Sequence, residues 1–432
     1  MLNSQTILSS LTRALPEPPL ARYGSLALSL SVLSFLFSIA LTQIALTLAS
    51  ILFLIHYLKS RPRVSVPPVW LPLLFFCATT LLSVFFSGNL SLSSYAARKL
   101  VLFVILWLTV NLIVTRRHRD FLLKALFVEA ALVGLVAAVQ VLLQYLQVRE
   151  LAPEDFYLLM THTRATGFLG HWMDYSGQQM MVLAVLAAFV LWRPKVKWGI
   201  VLFVVTVSLI LSFTRGAWLG AAAGVVLLLS LKRPKLLLGL PVVGLAVVLV
   251  SPSLVRERVL SVFRPGEDPS INIRSEMAQV GWNMIREHPW LGIGPNRVDE
   301  LYESYLPAGT EPIEGYHGHL HNNVLQIAAS QGLPSLAAWI WLMALWGRQI
   351  FRLRRRLGKD DDAEGNAWIA AGALAAWLAF LVQGMFEFNF GSSEPLMLFL
   401  FLVSAPYTAA ETLKDSSPDP DTSPATERKD AE

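Results

Sequence analysis

Three histidines at intervals of two close a polar stretch that reads Tyr316-His317-Gly318-His319-Leu320-His321-Asn322-Asn323. His317 and His321 would share a face if both were helical, so zinc is the first chemistry to weigh. Against it, the His-Glu-x-x-His signal is absent, the single cysteine, Cys77, lies inside an apolar run, and Gly318 implies irregular backbone. No metal and no cofactor are therefore expected. His321 carries the stronger argument. If it opens a short helix, the positive end of the helix dipole disfavours the imidazolium and leaves a neutral base able to take a proton from a hydroxyl. Asn322 and Asn323 beside it either hydrogen-bond a polyhydroxylated substrate or cap that helix. His319, Asn322 and Tyr316 are candidate substrate contacts, although ordinary interfacial hydrogen bonding accounts for His317 and His319 equally.

Three arginines supply the complementary chemistry. Arg215 stands between two apolar runs in Ser212-Phe213-Thr214-Arg215-Gly216-Ala217-Trp218, where a charge is costly unless it pairs, snorkels or binds an anion. Arg274 falls in the first turn of a predicted helix, poorly placed for that helix's own dipole, which points to an external anion or a carboxylate such as Glu276. Arg164, in Thr163-Arg164-Ala165-Thr166-Gly167-Phe168, follows the fifth predicted span. Planar guanidinium groups recognise phosphate oxygens bidentately, so the three could cradle a diphosphate. Other polar motifs carry less. Gly292-Ile293-Gly294 lacks the strand-helix context of a dinucleotide fingerprint, and Asp360-Asp361-Asp362 reads as a solvated acidic run.

The elements that must position these residues are membrane helices. The chain has 432 residues, 54% hydrophobic and 15% charged, with mean hydropathy +0.53, which excludes an ordinary soluble domain. The fold class expected is an all-α polytopic membrane protein of about 12 spans, since only helices satisfy the backbone in lipid without a closed barrel. Residues 1–250 hold spans 1–9, residues 251–333 a large, mainly helical segment, residues 334–410 spans 10–12, and residues 411–432 a disordered tail rich in Ser, Pro and acid. Within the first part, 24–58 is read as two helices meeting near Leu41-Thr42-Gln43, and 97–114 as the fourth span. The large segment reads as helices near 254–263, 272–286 and 296–305, then a short helix over 321–331 stopped by Gly332, with Pro334 in the first turn of the next span. Met277, Val280, Gly281, Met284 and Ile285 fall on one face of the second of these. Basic residues gather in alternate connectors, with Arg98-Lys99 the main exception. That pattern puts both termini in the cytoplasm and the large segment outside, periplasmic in a Gram-negative cell. The net charge of +5 sits in connectors and implies membrane lipids rather than nucleic acid as partners.

Taken together, membrane order, Thr-Arg-Gly-Ala-Trp-Leu-Gly at 214–220, the Arg274 helix running into Glu287-His288-Pro289-Trp290-Leu291-Gly292-Ile293-Gly294-Pro295, and His321-Asn322 followed by Leu325-Gln326 and Gly332-Leu333-Pro334 resemble the bacterial O-antigen ligase and polymerase superfamily. The resemblance implies a metal-independent, inverting glycosyltransferase of the membrane-embedded GT-C type, using a glycan carried on undecaprenyl diphosphate. It implies His321 as the catalytic histidine, with Arg215 and Arg274 on the diphosphate and Arg164 a less close match. The reaction expected is O-antigen ligation, from the undecaprenyl-diphosphate-linked donor to a lipid A core acceptor in lipopolysaccharide biosynthesis at the inner membrane. A polymerase or a protein O-oligosaccharyltransferase of the same fold is the near alternative. A transporter of lipid-linked sugars is the alternative of another class, and it predicts mid-span charges and internal repeats, whereas the notable charges here gather at span ends.

Overall fold

The computed structural model describes residues 15–16, 18–151, 164–251, 253–261, 269–312, 318–357 and 366–414. Among them every regular element is helical. Helices α1 (Pro19–Val32) and α2 (Ile39–Ser60) form a close antiparallel pair. Their junction is Leu33–Ser38, not Leu41-Thr42-Gln43 as the sequence suggested. Ser38 caps α2 by accepting from the Leu41 amide at 3.3 Å, while Thr42 lies inside the helix, its hydroxyl 3.0 Å from the Ser34 hydroxyl. Polar residues taken for a break are thus partners across a helix pair.

After α3 (Trp70–Phe85) the chain runs through α4 (Leu90–Ala97), a 3-10 turn (Arg98–Phe103) and α5 (Val104–Leu112). Together these make one apolar element that begins earlier than the expected start at Ala97. Then follow α6 (Arg116–Leu151), α7 (Trp172–Trp192), α8 (Val196–Ile210), α9 (Arg215–Lys232) and α10 (Leu240–Val250). Six of the described helical elements are long and apolar enough to cross a membrane, with four shorter apolar helices beside them. This establishes a multi-pass helical protein, and the larger count expected from sequence remains a reading of hydropathy.

Burial sorts these helices. The apolar window of α7 is 83% buried, against 28% for α2, so α7 is the axis of the bundle and α2 one of its outer staves. Large side chains such as Ile44 and Phe203 are exposed on the outer helices, as contact with lipid requires. Beside α7, α9 and α15 (Ala367–Gln383) approach closely through Gly220 and Gly224. A methyl group on Gly220 would stand 2.3 Å from the Met180 sulfur and 2.7 Å from the Ala379 carbonyl, so this four-residue spacing of glycines lets backbones meet.

The large segment contains α11 (Ser253–Leu260), α12 (Pro269–Glu287) and α13 (Val298–Leu301) followed by a 3-10 turn. Helix α12 starts at Pro269, which suits a first helical position, so Arg274 belongs to its second turn rather than its first. Met277, Val280, Met284 and Ile285 are buried with Ile293, Val298, Tyr302 and Leu320 in a second apolar cluster. Gly281 shares that face, because a Cβ there would meet Leu320 at 2.6 Å.

The segment docks where α14 (Asn323–Leu357) kinks at Gly332 (φ 84°, ψ 168°). Pro334 has no N–H for the Ser330 carbonyl, and Leu333 donates instead to Pro289 at 2.8 Å. The carbonyls left over are taken from outside, by Ile293 N–H on Ala329 at 2.9 Å and Gly294 N–H on Ser330 at 3.0 Å. Gly292-Ile293-Gly294 is therefore a structural latch. The last helix, α16 (Ser393–Lys414), carries residues 411–414, which the sequence had assigned to a disordered tail. The remainder of that tail, like Asp360-Asp361-Asp362, lies outside the described residues.

Candidate active site

Helix α14 begins after His321, not at it. Asn322 caps it, its Oδ1 accepting from the Val324 amide at 2.8 Å and the Leu325 amide at 3.1 Å while Nδ2 donates to the Met385 carbonyl at 3.0 Å. Of the two roles open to Asn322, the geometry carries the cap. Asn323 is buried and holds the connector between α15 and α16. Its amide donates to Gly384 at 2.7 Å, its Nδ2 to Asn389 Oδ1 at 2.8 Å, and its Oδ1 accepts from the Phe390 amide at 3.2 Å. Gly384 is obligatory in this contact, since a Cβ there would lie 2.2 Å from Asn323 Nδ2.

That connector brings Glu387 to the histidines. The carboxylate is 8% exposed, accepts from His321 Nδ1 at 3.2 Å on Oε2 and has His319 Nε2 3.3 Å from Oε1. Burial alone would raise its pKa. The hydrogen bond from His321 and the electrostatic influence of His319, His321 and Arg274 outweigh burial and hold it at about 2, so Glu387 is an ionised acceptor at neutral pH. An ionised carboxylate has no proton to give, so the hydrogen-bonded imidazole nitrogen must donate. For His321 this places the proton on Nδ1 and leaves the Nε2 lone pair as a base. For His319 the tautomer is reversed, because its Nδ1 accepts the His321 backbone amide at 3.3 Å. Burial, the largest effect, lowers the His319 pKa against the opposing pull of Glu387. His321 itself has φ 50°, a left-handed turn that lets one side chain double back on Glu387 as the chain enters α14. The dipole argument made for His321 from sequence is thus replaced by a carboxylate contact.

The arginines converge nearby. Arg164, Arg215 and Arg274 line one cavity of about 280 Å3 together with Thr214, Gln383, Phe386 and Glu387. Arg215 is the first residue of α9, after a turn in which Phe213 has φ 51°, and its Nη1 donates to the Ser261 hydroxyl at 2.9 Å. Its cation and the positive end of the α9 dipole act in the same sense on an anion. Arg274 donates to the Phe386 carbonyl at 3.3 Å. Glu276, offered from sequence as its partner, accepts from the Tyr302 hydroxyl, and the carboxylate whose ionisation Arg274 favours is Glu387. The Arg164 guanidinium lies 5.4 Å from the Trp172 ring centre, a cation–π contact.

Three residues of the region escaped the sequence reading. Arg258, 5% exposed, also lines the cavity and donates to the Phe213 carbonyl at 3.3 Å, bracing the turn before Arg215. His171 caps α7, stacks on Trp172 at 4.4 Å and lies within electrostatic reach of both Glu387 and His321. Glu387 is the third. The available signal was an acid in Met385-Phe386-Glu387-Phe388-Asn389-Phe390, between two apolar runs, where an ionisable group is costly without a partner. Tyr316 and His317 lie outside the described residues. As a donor set, His319, His321 and Glu387 have ligand atoms within 4.8 Å of one another and could hold a metal ion.

Fold and site define a multi-pass helical membrane protein with an arginine-lined cavity beside a carboxylate-bound histidine. Residues 198–340 match the family model described as O-antigen ligase, which supports the O-antigen ligase and polymerase superfamily. The matched stretch contains Arg215, Arg258, Arg274, His319 and His321, whereas Arg164, His171 and Glu387 lie outside it. Comparison with curated proteins gives no match.

Proposed function

We propose that the chain is an O-antigen ligase: a metal-independent, inverting glycosyltransferase that moves a polysaccharide from undecaprenyl diphosphate to a lipid A core acceptor on the periplasmic face of the inner membrane. The observation that carries this reading is the His321 Nδ1 contact with Glu387 at 3.2 Å, made beside a cavity lined by Arg164, Arg215, Arg258 and Arg274. His321 Nε2 takes the proton of an acceptor hydroxyl as its oxygen attacks the anomeric carbon. The bond from that carbon to the diphosphate oxygen breaks, and the arginines stabilise the charge gathering on the leaving lipid diphosphate. Inversion follows from a single displacement. Glu387 holds the imidazole in the reactive tautomer and stabilises the imidazolium formed.

The cluster of His319, His321 and Glu387 supports a second reading, a cation-dependent hydrolase. A cation there would take the imidazole nitrogens now directed at Glu387, so base catalysis and cation binding exclude one another at this site. One reconstitution separates the readings: purified protein, lipid-linked glycan and lipid A core, with and without chelator, wild type beside His321→Ala. Transfer that survives chelation and is lost in His321→Ala is expected. Chelator-sensitive hydrolysis, or full transfer by His321→Ala, overturns the base-catalysed ligase. Donor lengthening without an acceptor adduct would indicate a polymerase.

A further inference from the structure

The basic pair Arg98-Lys99 breaks the charge alternation of the chain, and neither residue lines the arginine cavity. Both lie on the 3-10 turn inside the element Leu90–Leu112, where cations are expensive to keep. The Lys99 ammonium donates to the Gly391 carbonyl, which ties the turn to the connector bearing Glu387.

Two cavities meet at Lys99. The inner one, about 90 Å3, includes Thr80, Gln326, Gln331, Gly318 and Phe388, and the Phe388 ring is 6.4 Å from that of His319. The outer one, about 480 Å3, is a groove between α2 and the 3-10 turn, lined by Gln43, Thr47, Ser50, Tyr95 and Arg98. Gln43, Thr47 and Ser50 recur at helical spacing, a polar stripe beside the exposed Ile44 and Leu48. Arg98 is exposed in this groove, its guanidinium 5.1 Å from the Tyr95 ring centre.

An occupant of both spaces must be apolar where the groove opens between two spans, rich in hydroxyls among the amides and aromatic rings of the inner cavity, and anionic where they meet. We propose that the groove holds the acceptor, a membrane glycolipid whose sugar carries a phosphate, engaged by Arg98 and Lys99 while its outer sugar reaches the histidines through the inner cavity. The role as acceptor rests on the transferase reading, but binding does not. A protein acceptor would lack the membrane-seated part, and a glycan on a lipid diphosphate would place its anion on the carrier rather than on a sugar.

Binding without donor provides the test. The full chain in nanodiscs is titrated with a phosphorylated core glycolipid and with the same glycolipid after phosphatase treatment, followed by native mass spectrometry. Wild type is expected to prefer the phosphorylated form by about tenfold. Arg98→Gln, at an exposed position, should remove that preference without moving the unfolding temperature or the affinity for lipid-linked donor. Lys99→Gln should act likewise, and Arg98→Gln decides alone if that variant fails to fold. Equal affinity for the two probes, or a preference retained in Arg98→Gln, overturns the groove assignment. A wild type that binds neither probe yet lengthens donor glycan also overturns it while leaving a transferase. Preferential binding without transfer to any acceptor supports the groove and sinks the ligase instead.

Discussion

Glu387 accepts from His321 on one oxygen and faces His319 with the other. Replacing it with Gln keeps the shape but turns one acceptor into an NH2 group, which would face a ring N–H. One imidazole must then change tautomer. If it is His321, Nε2 becomes protonated and the base is lost. Glu387→Gln is therefore expected to lower kcat by about 10²- to 10⁴-fold with little change in donor KM, measured in the reconstituted transfer assay. The same carboxylate also links stability to pH. Its folded pKa of about 2 lies below the ordinary 4.5, so the stabilisation it gives is fully present above about 4.5 and fades as pH falls towards about 2. The difference in unfolding temperature between wild type and Glu387→Gln should shrink across that window, and a difference that grows on acidification would contradict the assignment. Arg215→Lys retains the charge but not the planar fork. A rise in donor KM of about tenfold or more is expected if recognition is bidentate, and wild-type kinetics would dismiss it.

At the scale of elements, the kink in α14 is the joint on which the outer segment is set. Ala at Gly332 would have to adopt φ 84° with its Cβ 2.2 Å from the Trp290 carbonyl, costing about 1–3 kcal/mol for the backbone alone. Gly332→Ala should lower the unfolding temperature and reduce activity together, because the latch and His321 share one helix. Much of this joint was legible in the chain: Gly332 as a stop, Pro334 as a first turn, the buried face of α12 from its spacing. What was not legible is what the freed carbonyls bond to. Gly292-Ile293-Gly294 lies some forty residues away in sequence, and no local pattern announces that its amides replace those that the Pro334 kink removes from the ladder. Glu387 was missed for a related reason. Its meaning depends on His321, 66 positions earlier, and on Asn323, which fixes the connector by three hydrogen bonds. The break between α1 and α2 was misplaced because Thr42 looks polar in isolation but is satisfied by Ser34 across the pair.

For the whole molecule, the alternation of basic connectors predicts sidedness, and a substituted-cysteine experiment reads it directly. With Cys77→Ala as background, Lys195→Cys should react only after the membrane is permeabilised, whereas Glu300→Cys on the large segment should react in intact spheroplasts. The reverse pattern would turn the bundle over and remove the periplasmic assignment. Within the bundle, the buried axis α7 and the glycine contact between α9 and α15 set the position of Arg215, since α9 carries it at its first residue. Gly220→Leu is expected to force those backbones apart and destabilise the fold, with Arg215-dependent donor affinity falling even at temperatures where the variant remains folded.

The concentration of guanidinium groups in one cavity has a consequence for turnover. A glycan-linked lipid diphosphate is substituted at both ends, but once the sugar leaves, the carrier gains another ionisable oxygen. On the proposed mechanism, four arginines that stabilise the departing group would hold the spent carrier more firmly than they held the donor. Escape of that carrier into the bilayer, rather than sugar transfer, is then the predicted slow step of the cycle. Added salt should accordingly raise kcat at saturating donor even as it weakens donor binding, and externally added undecaprenyl diphosphate should be a strong competitive inhibitor.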